Sequence, residues 1–205
     1  QENSLEDGGG KEQEKLTADA ATAAKRAELL EEAVTLAKEY EQVVFVGGLN
    51  HDFDVEGQDR ADMKLPYGQD ELISQVLAVN PNTVVVITAG SPGEMNVWAD
   101  QAKAIVWNWY AGMEGGNALA EVLLGKVNPS GKLPESMPYS HMDCSAHCVG
   151  DFAEKEMLHY REGIYVGYRY YEKNQVPVQF CFGHGLSYPT FAYTNLIVDK
   201  TETGF

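Results

Sequence analysis

Apolar and polar residues alternate along the chain with two periods, first that of a helix and then that of a strand. Apolar residues three and four apart predict an amphipathic helix over residues 18–40, and the apolar run 43–46, closed by two glycines, predicts a buried strand. The same pair recurs as a helix over 70–79 and a strand over 83–88 that is hydrophobic on both faces, as parallel sheets require.

A third strand is predicted over residues 104–110 and a further helix over 117–124, separated by a glycine-rich break. Strands and helices that follow one another in this way predict an α/β fold with a mostly parallel sheet. Loops after the carboxyl ends of such strands are where chemistry usually lies. The long polar loop 50–65 follows the first predicted strand and is therefore the first place to look for a site.

The two ends of the chain do not share this pattern. Residues 1–17 are polar and contain three consecutive glycines, so they are predicted to be a linker. In residues 191–205 apolar and polar residues alternate as in a β-strand, so this segment is predicted to be a linker or the opening strand of a separate β module. The α/β domain is therefore expected to occupy residues 18–190.

The net charge of the chain limits the classes of molecule that it is expected to bind. The 205 residues hold 15 Lys and Arg against 31 Asp and Glu, for a formal net charge of -16. Such a surface repels polyphosphates, and no basic patch offsets it, so nucleic-acid binding is not expected. No run of 18 apolar residues predicts a membrane span. Neutral substrates such as sugars are unaffected by this charge, and the sequence leaves localisation open.

The loop 50–65 concentrates acidic residues, with four carboxylates in eight positions at Asp52, Asp54, Glu56 and Asp59. A calcium loop is one interpretation, but an EF-hand needs a glutamate at its twelfth position and Met63 stands there. Dinucleotide binding is a second, but the glycines of the phosphate-binding fingerprint are absent. No cofactor and no metal are predicted for this loop.

General acid/base catalysis is a third interpretation of the same loop. A carboxylic acid donates protons near neutral pH only when its surroundings raise its pKa, and neighbouring carboxylates have that effect. Arg60 is expected to hold Asp59 ionised and so to keep a negative charge nearby. A solvated acidic loop without chemistry fits the spacing as well, so spacing alone leaves both open.

Five segments, in order over roughly residues 40 to 195, together resemble glycoside hydrolase family 3. They are VVFVGGLNHDFDVEGQDR, LPYGQDELISQVLAVNPNTVVVITAGSPGEM, AIVWNWYAGMEGGNALAEVLLGKVNPSGKLPESMP, YREGIYVGYRYYE and FCFGHGLSYPTFAY. The resemblance implies a three-layer α/β sandwich domain that lacks its opening segment here and leads into a fibronectin-III-like module. It also implies a separate TIM-barrel domain outside the chain.

The activity that the resemblance implies is hydrolysis of terminal β-D-glucosyl residues with retention of configuration. In the family an aspartate on the barrel is the nucleophile, and the glutamate of the E-G-x-D-R motif, here Glu56, is the general acid/base. Asp54, Asp59 and Arg60 are candidates for contacts to the β-glucoside or oligosaccharide substrate. A chain without the barrel is not expected to turn over substrate, and homo-oligomer formation stays open.

Two rival functions remain at the level of sequence. A β-xylosidase or another exo-β-glycosidase of the same family would share this scaffold, because contacts that choose the sugar lie mostly on the barrel. A non-catalytic carbohydrate-binding or assembly module is the rival from a different class. A barrel with a suitably placed aspartate would decide for the enzyme.

Four features outside the loop receive structural interpretations. Reduced thiols are favoured for the cysteines at 144 and 148, because the spacing matches no standard zinc site. Two alternatives stay open: a Cys144–Cys148 disulfide, and a zinc ion bound by His141, Cys144, His147 and Cys148. His184, between two glycines, is predicted to support a tight turn, and Glu114 to cap a helix. Four tyrosines are predicted to pack at an interface, with stacking on sugars as the alternative, namely Tyr165, Tyr168, Tyr170 and Tyr171.

Overall fold

The computed structural model describes residues 20–149 and 157–204. Its helices are α1 (Ala20–Glu39), α2 (Gln69–Val79), α3 (Gly115–Leu123), α4 (Ser145–Cys148) and α5 (Tyr168–Asn174). Its strands are β1 (Val43–Gly48), β2 (Thr83–Thr88), β3 (Ala104–Trp107), β4 (Met137–Pro138) and β5 (Val178–Phe180). Short 3-10 turns lie at Pro66–Gly68, Ala99–Gln101 and His141–Asp143.

The main sheet has three strands in the order β1-β2-β3, and both pairings are parallel. Its register aligns Gly48 with Thr88 and Ile87 with Trp107, so the three strands end level with one another. The predicted α/β fold with a parallel sheet is confirmed. The three loops that follow these strands therefore start from one edge of the sheet, which is where ligands bind in open parallel sheets. A second, two-stranded sheet pairs β4 with β5 antiparallel.

The core lies on the face of the sheet that packs against α2 and the segment after β2. Ile73 of α2, Ile87 of β2 and Trp98 are each completely buried. The indole Nε1 of Trp98 donates to Asp70 Oδ1 over 2.8 Å, so the one polar atom of this large side chain has a partner. Burial of β2 from both sides accounts for its uniformly apolar sequence.

The opposite side of β1 is less covered. Strand β1 pairs with β2 alone among the described residues, and its side chains Val44 and Val46 are 51% and 62% exposed. Helix α1 lies alongside, and a groove of about 410 Å³ runs between the helix, β1 and α2, with Leu36 and Tyr40 in its wall. The carboxyl end of α1 is fixed, because the Asn80 amide donates to the carbonyls of Ala37 and Tyr40.

Several predicted boundaries differ from the observed ones by one to three residues. Strand β3 ends at Trp107 instead of residue 110. The Asn108 N–H still donates to Ile87 O on β2, and the chain then turns away at Trp109, whose φ is 48°. Helix α3 begins at Gly115, two residues early. Helix α1 ends at Glu39, and the predicted start at residue 18 lies outside the described residues, as does the linker 1–17.

The carboxyl-terminal β module is not confirmed. Within residues 191–204 the structure shows no strand, and the pairing there is a single bridge between Thr201 and Gly204. In the described part of the chain, no helix has the length and apolarity that crossing a bilayer would demand.

Candidate active site

Three loops meet at the carboxyl edge of the parallel sheet. The Leu49 N–H donates to Thr88 O over 2.9 Å and joins the start of the first loop to the end of β2. The Glu94 N–H donates to Met63 O, also over 2.9 Å, and joins the second loop to the far end of the first. The acidic loop is therefore held at both of its ends by the chain that follows β2.

Asn50 opens the acidic loop with a local turn. Its side-chain Oδ1 accepts from the Asp52 N–H over 3.0 Å, and its carbonyl accepts from the N–H groups of Phe53 and Asp54. An asparagine that bonds the backbone two residues on is a common way to start a tight turn. This turn sends Asp52 and Asp54 toward different partners.

Asp52 is held by a tyrosine from beyond the loop. The Tyr67 hydroxyl donates to Asp52 Oδ2 over 2.7 Å, and the Asn50 amide donates to the same oxygen over 3.3 Å. The Tyr67 ring also meets the Phe53 ring edge to face, with centroids 5.0 Å apart. Burial raises the pKa of the Tyr67 phenol and the Asp52 carboxylate raises it further, so Tyr67 remains the donor of this hydrogen bond.

Asp54 is held by a second tyrosine, which comes from the loop after β3. The Tyr110 hydroxyl donates to Asp54 Oδ2 over 2.5 Å. A Cβ atom at Gly90 would lie 2.7 Å from the Tyr110 ring and 3.2 Å from that carboxylate oxygen, so a glycine is what lets the two side chains meet here. Burial, followed by the hydrogen bond to Asp54, raises the pKa of Tyr110 and keeps its proton in place.

Arg60 fixes the other side of the loop. Its guanidinium Nη2 donates to Ser91 Oγ over 3.0 Å and to the Pro92 carbonyl over 3.3 Å. The expected ion pair between Arg60 and Asp59 is not formed between these two described residues, because the guanidinium turns to acceptors on the loop after β2. Asp59 is exposed instead.

Glu56 lies at the tip of a turn between these anchors. Val55 and Gln58 form an antiparallel bridge, and Gly57 has a φ of 80° while Glu56 does not have a positive φ. The bridge therefore closes a tight two-residue turn, with glycine at the position that has a positive φ. A Cβ atom at Gly57 would meet nothing within 4 Å, so the turn protrudes. Glu56 is exposed, and its carboxylate makes no hydrogen bond to any other described residue.

The site is therefore an anchored loop on which two carboxylates, those of Glu56 and Asp59, are exposed and have no side-chain partner among the described residues. Within residues 20–149 and 157–204 no group of three or more His, Cys, Asp or Glu is arranged to hold a metal ion. Asp52 and Asp54 are turned toward tyrosines on opposite sides, which separates carboxylates that a calcium loop would bring together. What the arrangement can do chemically is present the carboxyl groups of Glu56 and Asp59 to a molecule outside the domain.

In the segment with histidines and cysteines, no disulfide joins Cys144 to Cys148, and no group of three or more ligand side chains is arranged for a metal among the described residues. Cys144, Cys148 and Cys181 are free thiols. The Tyr171 hydroxyl donates to Cys144 Sγ over 3.6 Å, while Cys148 Sγ donates to the Met142 carbonyl over 3.0 Å. Reduced thiols are thus the state that the structure shows.

One buried carboxylate was not predicted from the sequence. Glu94 is 8% exposed, and its Oε1 accepts from both the backbone N–H and Nδ1 of His141, the latter over 3.2 Å. The pair joins the loop after β2 to the turn that precedes α4. No local pattern signals it, because the two residues are 47 positions apart in the chain.

The remaining sequence candidates have structural contacts. Glu114 precedes α3 at its N-cap position as predicted, although its carboxylate accepts from the Asn117 side chain instead of a backbone N–H. His184 follows Gly183, whose φ is 79°, and its carbonyl accepts from the Leu133 N–H over 2.8 Å, in accord with a supported turn. Tyr170 and Tyr171 are buried within the domain.

The other two tyrosines of the group have more exposed surroundings. Tyr168 is 44% exposed and stacks on Phe182 with centroids 4.7 Å apart. The Lys173 ammonium lies 3.4 Å from the centre of the Tyr165 ring. These contacts are packing contacts within the chain, and an interface with a barrel stays a prediction.

Comparison with known proteins gives one consistent result. Residues 2–188 match the family described as the glycosyl hydrolase family 3 C-terminal domain. A curated relative, a probable beta-glucosidase I of Aspergillus flavus, is 49% identical over 174 residues, which are 85% of this chain and 20% of the relative. The chain therefore spans about a fifth of the length of the curated relatives that it matches.

Solved structures agree with this. A beta-glucosidase from Kluyveromyces marxianus in complex with glucose superimposes with a TM-score of 0.76 at 45% identity, over 80% of this chain and 20% of that one. A family 3 beta-glucosidase from Bifidobacterium adolescentis gives a TM-score of 0.79 at 41% identity, over 85% of this chain and 26% of that one.

Proposed function

The chain belongs to glycosyl hydrolase family 3, as a C-terminal domain of that family, and on this premise we propose that it supplies the general acid/base of a retaining β-glucosidase. The substrate class is terminal β-D-glucosyl residues, in keeping with the names of its relatives. Glu56 is the residue that transfers the proton.

The observation that carries the proposal is the state of Glu56. Its neighbours Asp54 and Arg60 are tied to other loops, whereas its own carboxylate is exposed and unbonded at the tip of a turn. The carboxylates that stabilise the loop, Asp52 and Asp54, have partners in their own domain. A catalytic group that meets a substrate held elsewhere has none until that substrate arrives.

The chemistry needs two carboxyl groups about 5–5.5 Å apart on either side of the glycosidic bond. One attacks the anomeric carbon, while the other protonates the leaving oxygen and then deprotonates the water that releases the sugar. Glu56 is suited to the second role, since it reaches out of its domain. The nucleophile is then an aspartate on a TIM-barrel domain outside this chain, which accounts for a chain that covers only a fifth of its relatives.

The three candidates for substrate contact now differ from one another. Asp54 and Arg60 use polar atoms to hold the loop. Asp59 is exposed, lies three residues beyond Glu56 and makes no hydrogen bond to another described side chain. We therefore take Asp59 as the best candidate for a hydrogen bond to a sugar hydroxyl.

The test is Glu56→Gln in the complete enzyme. Glucosides with poor leaving groups need protonation of the leaving oxygen, so we expect their kcat/KM to fall by about 10²–10⁴, the usual contribution of a general acid. An activated aryl leaving group departs without protonation, so kcat/KM on such aryl glucosides should stay close to the wild-type value. Azide should raise kcat on the activated substrate, because it attacks the glycosyl-enzyme without a base and yields a β-glycosyl azide.

Glu32→Gln is the matched control, since it makes the same change at an exposed glutamate on α1. It should leave both substrates at the wild-type rate. Equal losses on both substrates in Glu56→Gln, without azide rescue, would remove Glu56 from the acid/base role.

A further inference from the structure

The turn that carries Glu56 is fixed by a hydrogen bond that spans the whole sheet. Tyr110 comes from the loop after β3 and Asp54 from the loop after β1, and these strands lie on opposite sides of β2. Their contact passes over Gly90, which follows β2 and has no side chain to separate them. Asp54 precedes Glu56 by only two residues, so this hydrogen bond anchors the turn directly on its amino-terminal side.

We propose that Tyr110 is a positioning residue for proton transfer by Glu56, acting through its hydrogen bond to Asp54. The inference rests on the proposed function and adds a residue to it that does not touch the substrate. Tyr110 follows Asp54 by 56 residues and lies outside the acidic loop 50–65.

The spacing of the anchors supports this role. Asp54 is bound to Tyr110 and Arg60 to Ser91 and Pro92, which leaves residues 55–59 between two fixed points. The Val55–Gln58 bridge closes the turn inside that interval. Loss of the Tyr110 hydroxyl releases the Asp54 side chain and leaves this leg of the turn held only by the hydrogen bond from the Asp54 N–H to the Asn50 carbonyl. The tip that carries Glu56 therefore gains freedom, while the leg at Arg60 stays held.

The backbone before Tyr110 is a second, independent observation. Trp109 has a φ of 48°, in the left-handed region that a bulky residue rarely adopts. Such a conformation is unfavourable and persists only where its surroundings enforce it. Here it lies directly before the tyrosine and turns the chain off the end of β3, which brings the hydroxyl to Asp54.

Proton transfer is sensitive to such freedom. Productive geometry has to be kept within about 0.5 Å, and a displacement of about 1 Å can cost 10²-fold. We therefore expect a loss that depends on how much protonation the substrate needs. A hydroxyl that only stabilised the fold would slow all substrates alike.

The experiment compares Tyr110→Phe with Tyr188→Phe in the complete enzyme. Tyr188→Phe is the matched control, because its hydroxyl donates to the Val122 carbonyl of α3 over 2.5 Å and has no contact with Asp54. In Tyr110→Phe we expect kcat/KM on a poor leaving group to fall about 10–100-fold and kcat/KM on an activated aryl glucoside to stay within about 2-fold. Tyr188→Phe should leave the ratio of the two at its wild-type value.

Variants of the partner residue test the route through Asp54. Asp54→Ala should reproduce the leaving-group dependence, and the double variant with Tyr110→Phe should lose no more than the worse single variant, because both remove one contact. Asp54→Asn keeps an acceptor oxygen for the tyrosine and should lose less than Asp54→Ala. This pair also serves if Tyr110→Phe does not fold.

The outcomes separate this inference from the proposed function. A wild-type profile for Tyr110→Phe, or equal loss on both substrates, overturns the positioning role while Glu56→Gln still shows its own leaving-group dependence. Additive losses in the double variant overturn the route through Asp54. If Glu56→Gln itself loses both substrates equally without azide rescue, the proposed function fails and this inference fails with it.

Discussion

Gly48 is the last residue of β1 and the point from which the acidic loop departs. Its φ is 139°, and a Cβ atom placed on it would lie 1.9 Å from the Thr88 carbonyl oxygen of the paired strand. That same oxygen accepts the hydrogen bond from the Leu49 N–H. Gly48→Ala therefore places a methyl group against the Thr88 carbonyl oxygen, at the point where a hydrogen bond joins the two chains.

The cost can be estimated from the two effects involved. A side chain in a backbone region suited to glycine costs about 1–3 kcal/mol. An overpacked contact that must push structure aside costs about 1–3 kcal/mol more. We therefore expect Gly48→Ala to destabilise the domain by about 4 kcal/mol, a large share of the 5–15 kcal/mol typical of native proteins. Gly112→Ala is the matched control, because Gly112 has a φ of 73° but open space around it, so it should cost about 1–2 kcal/mol.

Hydrogen exchange followed by mass spectrometry measures this in the complete enzyme. Peptides that cover β1 and Leu49 should lose protection in a urea series at lower denaturant in Gly48→Ala than in the wild type. Gly112→Ala should shift the same peptides much less. If the two variants cost the same within about 0.5 kcal/mol, the collision at Thr88 has been overestimated and the reasoning fails.

Two further predictions concern the core beneath the site. Burial raises the pKa of Asp70 above its ordinary value of 3.8, so the folded state holds that proton more tightly than the unfolded state. Stability should therefore fall as the pH rises from about 4 through the folded pKa, and the stability of Asp70→Asn relative to wild type should increase over the same range in denaturant titrations; a constant difference would contradict this. Trp98→Phe should cost about 2–4 kcal/mol in thermal or chemical unfolding, because it removes buried ring and leaves Asp70 Oδ1 without its donor. Trp109→Phe, at a half-buried position, should cost less, and equal costs would count against the hydrogen bond to Asp70.

The parts of the fold that were predictable are those where burial dictates residue type. Strand β2 is apolar on both faces because it is covered on both, and its predicted range 83–88 is the observed one. The end of β3 was not predictable in the same way. Trp109 and Tyr110 continue the aromatic pattern of the sequence, but Trp109 turns the chain away from the sheet and Tyr110 bonds to Asp54. A run of hydrophobic residues in a sequence does not determine at which residue the backbone leaves the sheet.

The site was predictable only in its local part. The motif around Glu56 is contiguous, and Gly57 marks the turn that the structure contains. The anchors of that turn were not predictable, because the partners of Asp54 and Arg60 are 56 and 31 residues away and meet them only through the sheet register. The prediction of an Arg60–Asp59 pair was wrong for the same reason, since adjacent residues in a loop need not face one another.

The outer edge of β1 has a practical consequence for anyone who produces this chain by itself. Val44 and Val46 are exposed, and β1 has a neighbour on one side alone in the described part of the chain. An uncovered, flat, hydrophobic edge strand is a template for the strand of a second molecule, so aggregation should begin there and grow with protein concentration. Val44→Lys would protect the edge by its charge. Co-production with the rest of the enzyme would protect it if another segment covers the same edge.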